Sequence, residues 1–459
     1  MRAVVLATAA ALWMVVALVP SAVADTRFEC IDGFAAPGTP AKFNRVGVLE
    51  VGPSRAKNVL VLNPGTSASA AYFAPLARDI VRRARGWQVW AVERRENLLE
   101  DQSVVNQAKA GRATDQRLFD YYLGYITKGE GVVPDHYEPI RDADVPFARQ
   151  WGMRVEIEDL RRVVKAAKRL RGKVVVGGHS LGGSITTAYA TWDFRGTPGA
   201  KGLSGLVLDD GGSGPTPVTA EQAGQSLQEL QGGSPWLAFG GIPAPFAGLF
   251  NVVASTGVLM NPNGTSELQT WPLLPDNLKP PVPTTNIASY GYALDTETSP
   301  PALAAAQAHL GHLAATGERR GWDRAGELSP IRSYARMFSG TGLKGLDGTA
   351  WYHPRRLTID SGAVAAGNAN PAQDVLDVRA THGDDLPRGL RIYAFGASLG
   401  GTRVLDAARV LAGQSGIPRR NLTLVERHET YAHNDPASAS PNNEFLDELV
   451  HFLTTISGR

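Results

Sequence analysis

Cysteine is nearly absent from this chain. Cys30 stands alone among 459 residues, so no internal disulfide can form and the fold must rest on packing. A charge bias is missing too. The 46 Lys and Arg nearly balance 44 Asp and Glu, for a formal charge of +2, which gives no surface suited to nucleic acid. No heptads and no domain-sized repeat are present, which excludes coiled coils and solenoids. Past the first twenty residues no apolar run is long enough to span a bilayer.

What the first residues hold is an export signal. Arg2 precedes "AVVLATAAALWMVVALV", then Pro20, then Ala22-x-Ala24 before Asp25. A basic start, a short apolar run and a small-residue cleavage site predict a signal peptide over 1–24. The mature protein is then expected to be secreted, extracellular or periplasmic, with no stable membrane span. Cys30 falls near its new N-terminus, far from every motif, and is read as structural or incidental.

The remainder alternates strand and helix patterns. "NVLVL" at 58–62, "WQVWAV" at 87–92, "KVVVGGH", "LSGLVLDD", "LRIYAFGA" and "LTLVERH" read as strands. Met153, Ile157, Leu160, Val164 and Ala167 recur every three to four positions and predict an amphipathic helix over 153–170. A second such helix closes the chain in "NEFLDELVHFLTTI". This rhythm predicts an α/β fold, a mostly parallel sheet with helices on both faces. Two stretches interrupt it. Residues 101–150 are polar and irregular. Residues 213–388 are rich in glycine, proline and tryptophan and read as a large insertion, or lid. "QAHLGHLAATGERRGW" and "PIRSYARMF" within it are candidate short helices. The expected organisation is a core of 25–212 and 389–459 with 213–388 inserted.

Two segments share a G-x-S-x-G core, "GGHSLGGS" around Ser180 and "FGASLGGT" around Ser398. A nucleophilic serine needs a base, an acid to orient the base, and donors for the oxyanion. Ser180 has the context. A strand and glycine turn, "LVLNPGTS", precede it; carboxylates end the strand "LVLDD" after it; and "ETYAHND" places His433 beyond the last strand. Ser398 has only His433 and one strand downstream, with Asp406 inside a helical pattern. Its glycines are read as a tight strand-to-helix turn.

In these motifs and their order the chain resembles the α/β-hydrolase superfamily of serine hydrolases over roughly 45–212 and 389–459. The resemblance implies Ser180 as nucleophile, His433 as general base, and the backbone N–H groups of Leu181 and Thr66 as the oxyanion site. It departs from the family pattern in two places. Pro64-Gly65 stands where His-Gly is common, and the loop after the penultimate strand, "GASLGG", holds no carboxylate. The acid is therefore sought among Asp210, Asp209 and Asp406. Asp210 is favoured because it is the last residue before the glycines of "LDDGG".

Other candidates have plainer readings. His428 is the rival base, expected at the end of the last strand. His309 and His312 form an H-x-x-H pair without further metal ligands nearby in sequence, so no metal is assigned. Trp236, Phe239, Phe246, Phe250 and Trp271 could line an apolar substrate site or pack the insertion's own core. The expected activity is hydrolysis of carboxylic esters, from small-molecule or lipid-like substrates, through an acyl-enzyme and without a cofactor. An exported aminopeptidase-like enzyme is the alternative, with Glu221, Glu229 and Glu267 available to grip an ammonium. An acyltransferase of the same fold is the other.

Overall fold

The computed structural model describes residues 25–458, so the expected signal peptide lies outside them. The chain begins with an antiparallel pair, β1 (Thr26–Asp32) and β2 (Arg45–Val51). It continues through β3 (Asn58–Asn63), α1 (Ala74–Arg83), β4 (Trp87–Glu93), α2 (Met153–Arg169), β5 (Val174–His179), α3 (Leu181–Thr191) and β6 (Gly205–Asp209). The insertion contributes α4 (Ala220–Gly232), α5 (Phe246–Met260), α6 (Asn286–Leu294) and α7 (Ile331–Ser339). The sheet resumes with β7 (Arg391–Gly396), α8 (Thr402–Gln414), β8 (Leu422–Glu426) and α9 (Glu444–Ser457).

Eight strands lie in the order β1-β2-β4-β3-β5-β6-β7-β8. Every pairing from β4 to β8 is parallel. The central strands β3 and β5 are apolar and almost wholly buried because helices cover both faces. On one face Met153, Ile157, Leu160 and Val164 of α2 pack with Val59, Val61, Val174 and Val176. On the other, Leu76 and Ile80 of α1 meet Leu60, Phe395 and the apolar side of α9. The basic end of α2, Lys168 and Arg169, complements the helix dipole there.

A third apolar cluster lies off the sheet. It joins Val104, Tyr122 and Trp151 from the irregular stretch after β4 to Trp236, Leu249 and Trp351 of the insertion. The stretch that reads as irregular in sequence contains short helices such as Ser103–Lys109 and Asp115–Phe119. "PIRSYARMF" is helical as α7. Residues 307–322 are not: His312–Leu313 and Trp322–Asp323 pair as a short antiparallel ribbon. Gly311 at φ 110 and Gly317 at φ 122 take backbone angles no helix can hold.

Candidate active site

Ser180 sits between β5 and α3 at φ 58 and ψ −125. A non-glycine residue in that region is strained, and such strain is held only where the surroundings over-determine it. Here the surroundings are close-packed glycine backbones. A Cβ on Gly178 would come within 2.3 Å of Gly182, and one on Gly65 would reach 2.9 Å from the Cβ of Ser180. The tight turn lifts Ser180 into a chamber it shares with Thr66, Tyr72, His179, Asn251 and His433.

His433 Nδ1 and Asp210 Oδ2 are 2.6 Å apart, both side chains fully buried. His433 lines the chamber, and its Nε2 has no hydrogen-bond partner among the described residues. Asp210 stands just past β6 at φ 42, which swings its carboxylate away from the strand. Burial pushes its pKa up, but the His433 hydrogen bond, the nearby histidines and backbone donors outweigh this and lower it.

Those donors come from the second G-x-S-x-G segment. Ala397 N–H donates to Asp210 Oδ1 at 2.7 Å and Gly400 N–H at 2.9 Å, while Leu399 N–H reaches Oδ2 at 3.2 Å. Ser398 itself is exposed, and its N–H goes to the Tyr431 carbonyl at 2.9 Å. The near-copy thus forms a backbone cradle around Asp210.

The other sequence candidates lie elsewhere. Asp406 pairs on the surface with Arg409 at 2.6 Å, and His428 with Glu426 at 3.0 Å. Asp209 is buried and its carboxyl oxygens meet no donor among the described residues. Burial, and then the charge of Asp210, push its pKa well above the usual carboxylate range. His309 bonds Asp435 at 2.6 Å, and His312 lies 3.5 Å from Asp323. Glu229 pairs with Arg355, Glu221 is exposed, and Glu267 lines a separate cavity, so the three glutamates form no cluster. Of the insertion's aromatics, Phe239 and Phe250 line that cavity, whereas Trp236 and Trp271 are buried in the third cluster. Phe246 lies against Phe250 with ring centroids 6.3 Å apart. Cys30 is a free, half-buried thiol on β1.

Two positioning groups escape sequence reasoning. His179 donates from Nε2 to the His433 carbonyl at 2.8 Å and stacks on Tyr72. Burial, with help from neighbouring His433, lowers its pKa to about 3, so it stays neutral and keeps that donor on Nε2. Arg94 is fully buried under the loop that carries Thr66. Its guanidinium donates to the carbonyls of Pro64, Gly65 and Ala68 at 2.9, 3.0 and 2.9 Å, and to Glu96 at 2.7 Å. Only the place of His179 next to Ser180 hinted at its role. Nothing in the sequence singled out Arg94.

No family model matches the chain, and no curated protein matches it in sequence. Solved structures do. A provisionally assigned lipase from Sulfolobus solfataricus is similar over 94% of this chain and 94% of its own, with 15% identity and a TM-score of 0.51. A thermostable carboxyl esterase from Bacillus coagulans covers 94% of this chain and 98% of its own at 13% identity and TM-score 0.41. A soluble variant of the monoglyceride lipase from Saccharomyces cerevisiae covers 95% and 96% at 11% identity and TM-score 0.39. The sheet order, the serine elbow and the first of these likenesses together give the chain the α/β-hydrolase fold.

Proposed function

We propose that the protein is an exported serine hydrolase that cleaves carboxylic esters through an acyl-enzyme. The observation that carries this reading is the His433–Asp210 contact at 2.6 Å, with His433 lining the same chamber as Ser180 and its Nε2 left without a partner among the described residues. Lipases and esterases among the structural neighbours agree with it. In this mechanism Ser180 Oγ bonds to the ester carbonyl carbon as His433 Nε2 takes its proton. Asp210 holds Nδ1–H and stabilises the imidazolium. The N–H groups of Leu181, at the start of α3, and Thr66 hold the oxyanion, the first aided by the helix dipole. His433 then protonates the leaving alcohol as the C–O bond breaks. A water then adds to the acyl carbonyl carbon as His433 takes its proton, and the bond from that carbon to Ser180 Oγ breaks as His433 returns the proton to Oγ, which releases the acid.

The chain organisation follows from the same reading. The core is 25–212 and 389–459, and 213–388 acts as a lid. Insertion residues Phe239, Ala247, Asn251, Ala306 and Phe338 line the chamber with core residues, which supports that role. Cleavage near Ala24 would deliver the enzyme outside the cytoplasm. Among the described residues no helix is long and apolar enough to cross a membrane.

The test is a panel of chromogenic acyl esters beside aminoacyl anilides, with Ser180→Ala as control. Ester turnover that falls by several orders of magnitude in the variant supports the proposal. Turnover of anilides alone, or ester turnover unchanged in Ser180→Ala, overturns it.

A further inference from the structure

We infer that the cavity beside the Ser180 chamber is an acyl slot of fixed length, suited to straight chains of about ten to twelve carbons. The inference rests on the ester-hydrolase reading above. The cavity is lined mostly by apolar side chains, among them Phe119, Phe250, Leu278 and Leu294. It shares Phe239, Ala247, Asn251 and Ala306 with the chamber, so the two adjoin across these side chains. None of the loop residues around His433 lines it. The leaving alcohol must lie within reach of His433 Nε2 to be protonated. The group assigned to a cavity that this loop does not wall is the acyl chain.

One wall is α5, which acts as a ruler. Positions 247, 251, 254 and 257 share a helical face. Ala247 and Asn251 border the throat; Ala254 and Gly257 border only the cavity beyond it. From Ala247 to Gly257 the helix rises about 15 Å. An extended chain advances roughly 1.2 Å per bond, judged from backbone spacing, so that rise takes about a dozen bonds. Glycine weakens a helix interior, yet no packing contact requires it at 257, since an added Cβ would meet nothing within 4 Å. Its effect is to leave the cavity at full width at that depth.

Near the C-terminal end of α5 the lining turns polar and partly exposed. Asn261, which follows α5, donates to Asp115 Oδ2 at 2.8 Å, and its carbonyl accepts from Asn286 Nδ2 at 2.9 Å. Asp115, Asn286 and Glu267 all line the cavity. Apolar walls favour each methylene up to Gly257. Methylenes pushed further would desolvate carboxylates, which is unfavourable.

The experiment is a kcat/KM series on p-nitrophenyl esters from butanoyl to hexadecanoyl, beside butanoate esters of alcohols of rising length. Active-site titration with a short fluorophosphonate is read first. Failure to label Ser180 overturns the hydrolase reading itself. With Ser180 labelled, the acyl series should rise severalfold per methylene, peak near ten to twelve carbons and fall beyond, while the alcohol series stays flat. Gly257→Leu should move the optimum to shorter acyl chains by several carbons, and Ala254→Phe further still. Gly257→Ala, which favours the helix, should trim it by one or two. A flat acyl profile, an optimum that these variants leave in place, or length selection on the alcohol side overturns the slot while leaving the hydrolase reading intact.

Discussion

Asp210 Oδ1 accepts the backbone N–H of Ala397 at 2.7 Å, across 187 positions of sequence. This contact ties the strand before the insertion to the strand after it. It also explains why the chain holds two G-x-S-x-G segments with different fates. One presents a serine; the other presents backbone donors to a carboxylate.

Asp210→Asn should cost about 10⁴ in kcat, the loss seen when such an acid becomes an amide and leaves the histidine in the wrong tautomer. An asparagine has one acceptor oxygen. The N–H groups of Ala397 and Gly400 will claim it, which turns the amide NH₂ toward His433 Nδ1. Steady-state ester kinetics, with circular dichroism to confirm folding, check this. Near-normal kcat would shift the role to another carboxylate.

The cradle predicts a contrast within one loop. Ser398→Ala should change kcat/KM by less than about threefold, because only backbone of that segment touches Asp210 and an exposed side chain carries little stability. Gly400→Ala should lower both activity and thermal stability. Its Cβ would lie 2.7 Å from Asp210 Oδ1 and 2.5 Å from the Val404 side chain, and such overpacking costs about 1–3 kcal/mol. The two melting curves and two progress curves decide the matter.

His179→Phe should lower kcat by one to two orders of magnitude with little change in KM. The phenyl ring keeps the stacking on Tyr72 but removes the donor to the His433 carbonyl, and a lost or unsatisfied buried hydrogen bond costs about 1–3 kcal/mol. A change confined to KM would contradict a positioning role.

A pH effect should come from His309 and Asp435. The His309 pKa is raised, first by its hydrogen bond to Asp435 and then by the charges of Asp435, Asp295 and Glu297, against the opposing effect of burial. A folded-state pKa above the unfolded one gives stability that is fully present below the unfolded value and lost as pH rises through the folded value. The melting-temperature advantage of the native chain over His309→Asn should therefore be largest at or below the ordinary histidine range, pH ~6.5, and fade above it. Asp435 also accepts the Ser329 hydroxyl at 2.6 Å and the Ala432 N–H at 2.6 Å, so the pair fastens the insertion to the loop of His433. An advantage that grows with pH would contradict this account.

Much of the arrangement could be read from sequence where side-chain chemistry and spacing carry it. Valine-rich runs before glycines marked β3 and β5, and the order Ser180, Asp210, His433 matched a known topology. Asp210 is preferred to Asp209 in the sequence because it is the last residue before the glycines of "LDDGG", and two adjacent strand residues cannot both face the histidine. The cradle stayed hidden, since backbone N–H groups leave no mark on residue identity. Nothing in the sequence marks Arg94, because its burial beneath the loop of Thr66 depends on long-range packing. The cavity is legible only in part, through Phe239 and Phe250 among the insertion's aromatics. Its walls join α5 and α6 to Asp115 and Phe119, segments far apart in sequence.

The most direct test of the central claim is mass-spectrometric mapping of the site that a fluorophosphonate labels. The account predicts one phosphonyl group per chain, on Ser180, lost in Ser180→Ala and slowed severely in Asp210→Asn and His433→Ala. Labelling of Ser398, or no labelling of a protein that still turns over esters, would contradict it.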